Sequence, residues 1–494
     1  MNVENAKIEI HDAPDVTRSA VRGGLFIGVR QLAVQGSNVI GTILLTRIFS
    51  TAEFGLFVIL IFASKAITLL SGAALSLQAV RSPKPLSTHS LRVLFTAQMA
   101  LSLLGGGALL ALAPLIAGAY HAGESAVNAL RIVAIGVMFS CLQSIPTALL
   151  ERDLKFGRLA ISEIAIAVTF NTIAVAAAWA GFGIEGVAIG IASQVAVGCV
   201  MVNVLKRWPI GVAIDMVVLR NEIGSGLAYF GVSVTSIVKD AVNPVFMGLL
   251  LGAADVGLAT WANIVSAYSV IALQMLQRVY IPTFSRLAED PENLDRFVKN
   301  ILKVTNAITA PVACILLVLI HPITIDVFGP KWLKALPAFY FFWIGNLFVP
   351  TVSPLLALLQ ALGRGRVALA AAVSWMLLTW AFGIPAIMWL GITGTGLATC
   401  LVNLSNYAFL RIARRHIRFK ILPTILPIWG LGAVVAGIIG CVNLFYPAQN
   451  IRWIGLYSLS GCACYALLFY ATNKETARAF FTIVRASVKG VGKQ

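Results

Sequence analysis

Residues 55–80 read GLFVILIFASKAITLLSGAALSLQAV, a run in which Lys65 is the only charge. As a helix rising about 1.5 Å per residue, such a run is longer than the roughly 30 Å hydrocarbon core of a bilayer. It is flanked on one side by the short gap around Arg47 and Glu53, and on the other by a gap carrying Arg81, Lys84 and Arg92. Working outward, similar runs fall at 24–48, 92–117, 128–150, 159–180, 184–205, 224–251, 256–281, 301–326, 335–361, 367–389, 394–411, 422–445 and 451–472. The chain is therefore expected to be an all-α polytopic membrane protein with about fourteen transmembrane helices.

Charge orients these runs. With a cytoplasmic amino terminus, about 28 of the 37 Lys and Arg fall in the terminal segments and even-numbered gaps, about 5 on the other side and about 4 inside helices. Both termini are then cytoplasmic. The composition, 59% hydrophobic and 12% charged, lies far from the quarter of charged residues usual in a soluble domain. A net charge of +17 would suggest nucleic acid in a soluble chain. Here the positive-inside bias accounts for it, and no nucleic-acid partner is expected. Residues before Gly23 include Glu4, Glu9, Asp12 and Asp15 and lack a basic n-region, so the first run is expected to be an uncleaved anchor. The seven cysteines lie almost entirely within apolar runs and show no metal-ligand spacing. Neither a metal nor another cofactor is expected.

An internal repeat divides the chain. Glu53-Phe54-Gly55-Leu56 returns as Asp255-Val256-Gly257-Leu258, an offset of about 202. Ala113-Pro114-Leu115-Ile116 returns as His321-Pro322-Ile323-Thr324, Pro146 as Pro354, and Gly183-Ile184-Glu185-Gly186 as Gly391-Ile392-Thr393-Gly394, at about 208. Six runs per half is an even number, so the halves face the same way around an axis along the membrane normal. The expected organisation is a cytoplasmic segment 1–22, an N-lobe 23–205, a linker 206–222, a C-lobe 223–411, a basic loop 412–421, two further helices in 422–472 and a basic tail 473–494. The polar stretch 282–300 suits a short helix lying along the membrane surface.

The first run of each half carries a polar stripe. Gln31, Gln35, Asn38 and Thr42 recur at helical spacing, as do Ser233, Ser236, Asp240 and Asn243. Such residues commonly bind helices together, but two matched stripes favour a hydrated cavity between lobes. Four cations lie inside runs: Arg30, Lys65, Lys239 and Arg278. A Lys or Arg at the bilayer centre costs at least about 2.5–3.5 kcal/mol, so such residues usually face water or a partner. Cations outnumber carboxylates on these four helices, which points to an anionic substrate. Asp240 and Glu163 are the carboxylates placed to couple an ion. No Walker loop and no HExxH occur in the sequence.

Four stretches then carry a resemblance. Thr46-Arg47-Ile48-Phe49-Ser50-Thr51-Ala52-Glu53-Phe54-Gly55-Leu56, Leu149-Leu150-Glu151-Arg152-Asp153-Leu154-Lys155-Phe156, Val279-Tyr280-Ile281-Pro282-Thr283-Phe284-Ser285-Arg286 and Phe328-Gly329-Pro330-Lys331-Trp332 are similar to those of bacterial polysaccharide flippases. These flippases form a branch of the multidrug/oligosaccharidyl-lipid/polysaccharide (MOP) exporter superfamily. The resemblance implies two six-helix lobes in a V that alternate in opening, a cationic central cavity, and a short oligosaccharide on undecaprenyl pyrophosphate as substrate. Arg30, Lys65, Lys239 and Arg278 would hold the pyrophosphate and the polar stripes would hydrate the glycan. Expected partners are the bilayer of the bacterial cytoplasmic (inner) membrane, a polysaccharide polymerase and export machinery, and a coupling proton or sodium ion. A multidrug exporter of the same fold should show cavity carboxylates, whereas cations dominate here. A membrane glycosyltransferase or polymerase usually needs a sizeable outward loop, and the outward gaps are only a few residues long. The chain is not expected to be an enzyme.

Overall fold

A computed structural model describes residues 13–73, 87–153, 155–363, 365–414, 417–448 and 450–473. The basic residues of 74–86, the first twelve residues and most of the tail lie outside the described residues. The first half comprises α1 (Ala13–Ile48), α2 (Thr51–Thr68), α3 (Thr88–Ala119), α4 (Glu124–Met138), α5 (Cys141–Arg152), α6 (Phe156–Trp179) and α7 (Gly183–Leu205). The second comprises α8 (Met216–Asp240), α9 (Ala253–Ala267), α10 (Leu273–Arg286), α11 (Pro291–Pro322), α12 (Leu336–Asn346), α13 (Val349–Ala361), α14 (Gly365–Leu390) and α15 (Ile392–Ala413), followed by α16 (Ile421–Phe445) and α17 (Ile451–Thr472). No strand occurs among the described residues.

Among the described residues, nine spans are long and apolar enough to cross a membrane, or eleven when two bent pairs each count as one. The runs missing from that set are α1, α9 with α10, and α15. Polar side chains dilute α1 and α15, and a short 3-10 turn at Tyr268–Val270 interrupts the path from α9 to α10. These three are nonetheless helical, so all fourteen runs of the sequence fall on helices of the structure, in order.

The repeat is built into the backbone. The bent pairs are α4 with α5, at 47°, and the Pro330–Asn346 stretch with α13, at 41°. Their breaks fall at Phe139-Ser140 and Leu347-Phe348, one repeat offset apart. Pro146 and Pro354 each remove the N–H that would serve the carbonyl four residues earlier. Those carbonyls find side-chain donors instead: Asn203 Nδ2 donates to the Leu142 carbonyl at 2.9 Å and Thr305 Oγ1 to the Pro350 carbonyl at 2.8 Å. This satisfies a backbone group that hydrocarbon could not. Gly183 and Gly391, again one offset apart, open α7 and α15 at φ of 52° and 56°, where a side chain would be strained.

The halves meet through α2 and α9. Ser50 and Glu53 form a capping box that starts α2: the Glu53 N–H donates to Ser50 Oγ at 3.2 Å and the Ser50 N–H to Glu53 Oε2 at 2.8 Å. One turn on, a Cβ built on Gly55 would lie 1.7 Å from the Ala253 carbonyl oxygen. A Cβ on Gly257 would lie 2.2 Å from the Thr51 carbonyl oxygen. Gly55 matches Gly257 and Thr51 matches Ala253 under the same offset, so the contact is reciprocal, as a twofold relation between the halves requires. Trp261 and Trp332, with ring centroids 5.6 Å apart, continue the contact into a buried aromatic cluster with Phe54 and Phe328.

The expected surface helix in 282–300 is replaced by a different arrangement. Asp290 accepts from the Asn293 N–H and Pro291 occupies the first turn, which starts α11. Leu294, Val298, Ile301 and Leu302 then pack with Tyr280, Phe284 and Leu358, drawing the segment into a single 32-residue helix. The apolar stripe that continues without a break into the next run outweighs the polar face. α16 and α17 dock on this helix: Gly432 admits Cys314 and Ala310, and Trp429 Nε1 donates to Asn306 Oδ1 at 2.8 Å. Between the halves, 206–215 runs along α3. The Ala213 N–H donates to Thr96 Oγ1, Arg92 Nε donates to the Pro209 carbonyl, and Asp215 caps α8 while meeting His89 Nε2 at 3.2 Å. The Val218 N–H and the His89 ring hold the Asp215 carboxyl below the usual carboxylate range.

Candidate functional site: a cationic cavity between the halves

α2, α8 with the turn after it, α9, α10, α13, α14 and α15 surround a cavity of about 810 Å³. Lys65 comes to its wall from α2, and Lys239 and Asp240 from the end of α8. Asp240 joins the two lysines, with Oδ1 2.7 Å from Lys239 Nζ and Oδ2 3.4 Å from Lys65 Nζ. The three side chains remain 57% (Lys65), 37% (Lys239) and 36% (Asp240) exposed, so they face the cavity rather than a packed core. Each helix passes into a π turn just after its lysine, Leu69–Ala73 after Lys65 and Val242–Met247 after Lys239. Such turns recur at functional sites because they widen the helix and redirect a side chain.

The rest of the wall is largely uncharged and rich in amides and hydroxyls. Trp375 Nε1 donates to Asn406 Oδ1 at 2.9 Å, and Asn406 Nδ2 to Asn403 Oδ1 at 3.4 Å. Gln277 Nε2 donates to Ser353 Oγ at 2.7 Å, and Tyr280 lies 3.0 Å from the same oxygen. The sequence reading missed this wall, although Thr395, Thr399, Asn403 and Asn406 follow helical spacing as clearly as the two stripes that it did find.

The expected site residues separate into groups. Lys65, Lys239, Asp240 and Asn243 share the cavity wall. Arg30 lies elsewhere: it is 5% exposed, and its Nη1 is 2.8 Å from Glu163 Oε1 on α6, inside the first lobe. Asn38 accepts from Asn171 Nδ2 at 3.1 Å, and Asn171 also packs against Gly41, so this part of the α1 stripe ties α1 to α6. Gln31, Gln35, Thr42, Ser233 and Ser236 are not among the residues lining the cavity. Arg278 lies on α10, and its side chain is outside the described residues.

At the turn end of α1 and α2 the lobes are latched. Arg47 Nε donates to the Val327 carbonyl at 2.6 Å and Trp332 Nε1 to the Thr46 carbonyl at 3.2 Å. Lys331 Nζ donates to the Arg47 carbonyl at 3.0 Å and also to the Phe49 carbonyl. Across the twofold relation, Tyr120 OH donates to the Pro244 carbonyl at 2.6 Å and its ring lies against Gly248. The contacts of this latch thus gather on the same stretches, 46–56 and 328–332, that stood out in the sequence.

A family model described as "polysaccharide biosynthesis protein" matches residues 44–337, which hold the latch and the cavity helices α2, α8, α9 and α10. The chain belongs to this polysaccharide biosynthesis protein family. No curated protein sequence matches it. Among solved structures, this family member is similar to the lipid II flippase MurJ in an inward closed conformation, with 17% identity, coverage of 90% of this chain and 99% of that one, and a TM-score of 0.71. An inward-facing multidrug resistance MATE family transporter of the MOP superfamily shares 15% identity over 80% of this chain and 95% of its own, with a TM-score of 0.58. The outward-facing form of a MATE family transporter follows at 14% identity, 82% and 96% coverage, and a TM-score of 0.53. The chain thus has the all-helical, multi-pass fold of MOP transporters.

Proposed function

We propose that this chain is a flippase that moves undecaprenyl-pyrophosphate-linked repeat units from the cytoplasmic to the outer leaflet of the bacterial inner membrane, for exopolysaccharide, capsule or O-antigen synthesis. The observation that carries the proposal is the cavity with Lys65 and Lys239 on its wall beneath a latched end. On the positive-inside reading the latched end would be extracytoplasmic and the cavity would open toward the leaflet where the substrate is made. The lysines would hold the pyrophosphate, the amide and hydroxyl wall would bind the glycan, and the polyprenyl tail would stay in lipid. Alternating access requires the latch to open and the cytoplasmic ends to close, with no covalent step. Each charge moved across the membrane is worth about 2.3 kcal/mol per 100 mV, which the membrane potential or a coupled proton or sodium ion would supply. Asp240 and Glu163 are the groups to examine for coupling. A polysaccharide polymerase and its export machinery would take the product.

The test is leaflet-resolved measurement of lipid-linked glycan in cells carrying Lys65→Ala, Lys239→Ala or both, with membrane insertion verified. Transport is expected to fall about tenfold or more in the double variant, with substrate accumulating on the cytoplasmic side, because a bound anion would lose both charge partners. Wild-type transport by the inserted double variant would overturn the proposal.

A further inference from the structure

We propose that Asp240 is a resident counter-anion: in the empty cavity it holds the two lysines that a diphosphate headgroup takes over, and it reclaims them to release that headgroup. This rests on the flippase reading above and assigns Asp240 a part in substrate exchange itself.

The geometry is that of an occupied anion site. One carboxylate oxygen meets each ammonium, at 2.7 Å on Lys239 and 3.4 Å on Lys65, and the two lysines come from different lobes. Two oxygens of a phosphoryl group can bridge a pair of ammonium groups in the same way, each accepting from one of them. Lys65 is more than half exposed and Lys239 more than a third, so a ligand in the cavity can reach both. Ion pairs this exposed are weak, worth at most about fivefold in an equilibrium constant. Asp240 is therefore displaceable, yet its tether keeps it present at an effective concentration on the order of millimolar.

The backbone supports movement at this point. Asp240 is the last residue of α8, and Pro244, four residues on, cannot donate to the Asp240 carbonyl. The helix continues as a π turn, so the carboxylate sits at a break in the ladder rather than inside a rigid helix. Charge decides the direction of exchange. Two lysines and one aspartate leave one net positive charge, whereas two lysines without the aspartate offer two. A multiply charged diphosphate gains from both, and a singly charged anion entering the site only replaces what Asp240 already supplies. When the lobes rearrange and the headgroup loosens, the tethered carboxylate recaptures the lysines and opposes rebinding.

The proposal yields an uncommon expectation, that removing an acidic residue tightens substrate binding and slows transport. Farnesyl diphosphate and inorganic pyrophosphate would be titrated calorimetrically into the purified full-length chain in nanodiscs. Asp240→Asn is expected to lower the Kd of both probes up to about fivefold while transport in the leaflet assay falls, and Asp240→Glu to restore both values. Unchanged or weaker binding in Asp240→Asn would overturn the inference, since an aspartate that merely positions the lysines would leave them misplaced when removed. Asp240→Ser serves as the second variant should the asparagine protein not remain monodisperse. The Lys65→Ala, Lys239→Ala double variant separates the two readings. If it loses the probes while Asp240→Asn does not tighten them, only the counter-anion role fails; if it binds them like wild type, the cationic-cavity reading fails with it.

Discussion

Gly257→Val is expected to abolish transport and to lower the thermal unfolding midpoint of the purified protein, and Gly55→Val to do the same. At both positions the new Cβ meets backbone, the Thr51 carbonyl at 2.2 Å and the Ala253 carbonyl at 1.7 Å, so no side chain can turn aside to relieve the clash. Overpacking typically costs about 1–3 kcal/mol, and the upper end applies where two helix backbones must separate. The separation reaches the latch within two turns, because Arg47, Phe49 and Thr46 carry the carbonyls that Lys331 and Trp332 hold. Hydrogen bonds near 3 Å weaken steeply when the helices move apart. Once either glycine has forced α2 and α9 apart, the second clash is already relieved, so Gly55→Val with Gly257→Val should cost clearly less than the sum of the singles. Additive losses, or wild-type transport in either single variant, would show that the lobes do not depend on this close approach.

The second large effect is expected at Glu163. Arg30 is 5% exposed and donates to Glu163, 2.8 Å away and 133 residues on in the chain, with Glu151 a further carboxylate within electrostatic reach. Breaking a buried pair by removing one partner usually costs about 3–5 kcal/mol, because the remaining charge has lost its water and its hydrogen-bonded partner. The Glu163 side chain is 40% exposed, so solvent screens part of that cost, and about 2–3 kcal/mol is expected for Glu163→Ala. The thermal midpoint of the detergent-solubilised protein reports it. Arg30→Met combined with Glu163→Leu should recover most of the loss, since an apolar pair leaves no orphaned charge. A Glu163→Ala protein as stable as wild type would mean that Arg30 finds water or another carboxylate. Glu163→Gln, which keeps the shape, extends the test to coupling: if Glu163 carries a proton during transport, this variant flattens the pH dependence of transport as well as lowering stability.

Much of the architecture was legible because it follows from period and composition. An apolar run of about 20 residues has one stable form in hydrocarbon, a helix that pairs its own backbone groups, so the runs and their order could be read directly. The repeat was legible because the same local problems recur in both halves. Gly55 and Gly257 must be small at the crossing of α2 and α9, and Gly183 and Gly391 must take positive φ. Pro146 and Pro354 mark the second segment of each bent pair. Lys65 and Lys239 stood out because a mid-membrane ammonium has few inexpensive surroundings.

The sequence alone thus determined an all-helical membrane chain, its division into two like halves, and the short set of charged residues that cannot face lipid. Only the tertiary structure decided which of those charges meet one another. Arg30 and Lys65 look alike in the sequence, each a lone cation in an apolar run, but α6 brings Glu163 against the first while the cavity opens beside the second. The same holds for the α1 stripe, of which Asn38 is taken up by Asn171, and for the cavity wall, drawn mainly from the second half together with α2. Helical periodicity specifies the face on which a side chain lies, whereas what covers that face depends on contacts between residues more than a hundred positions apart, which no local pattern encodes.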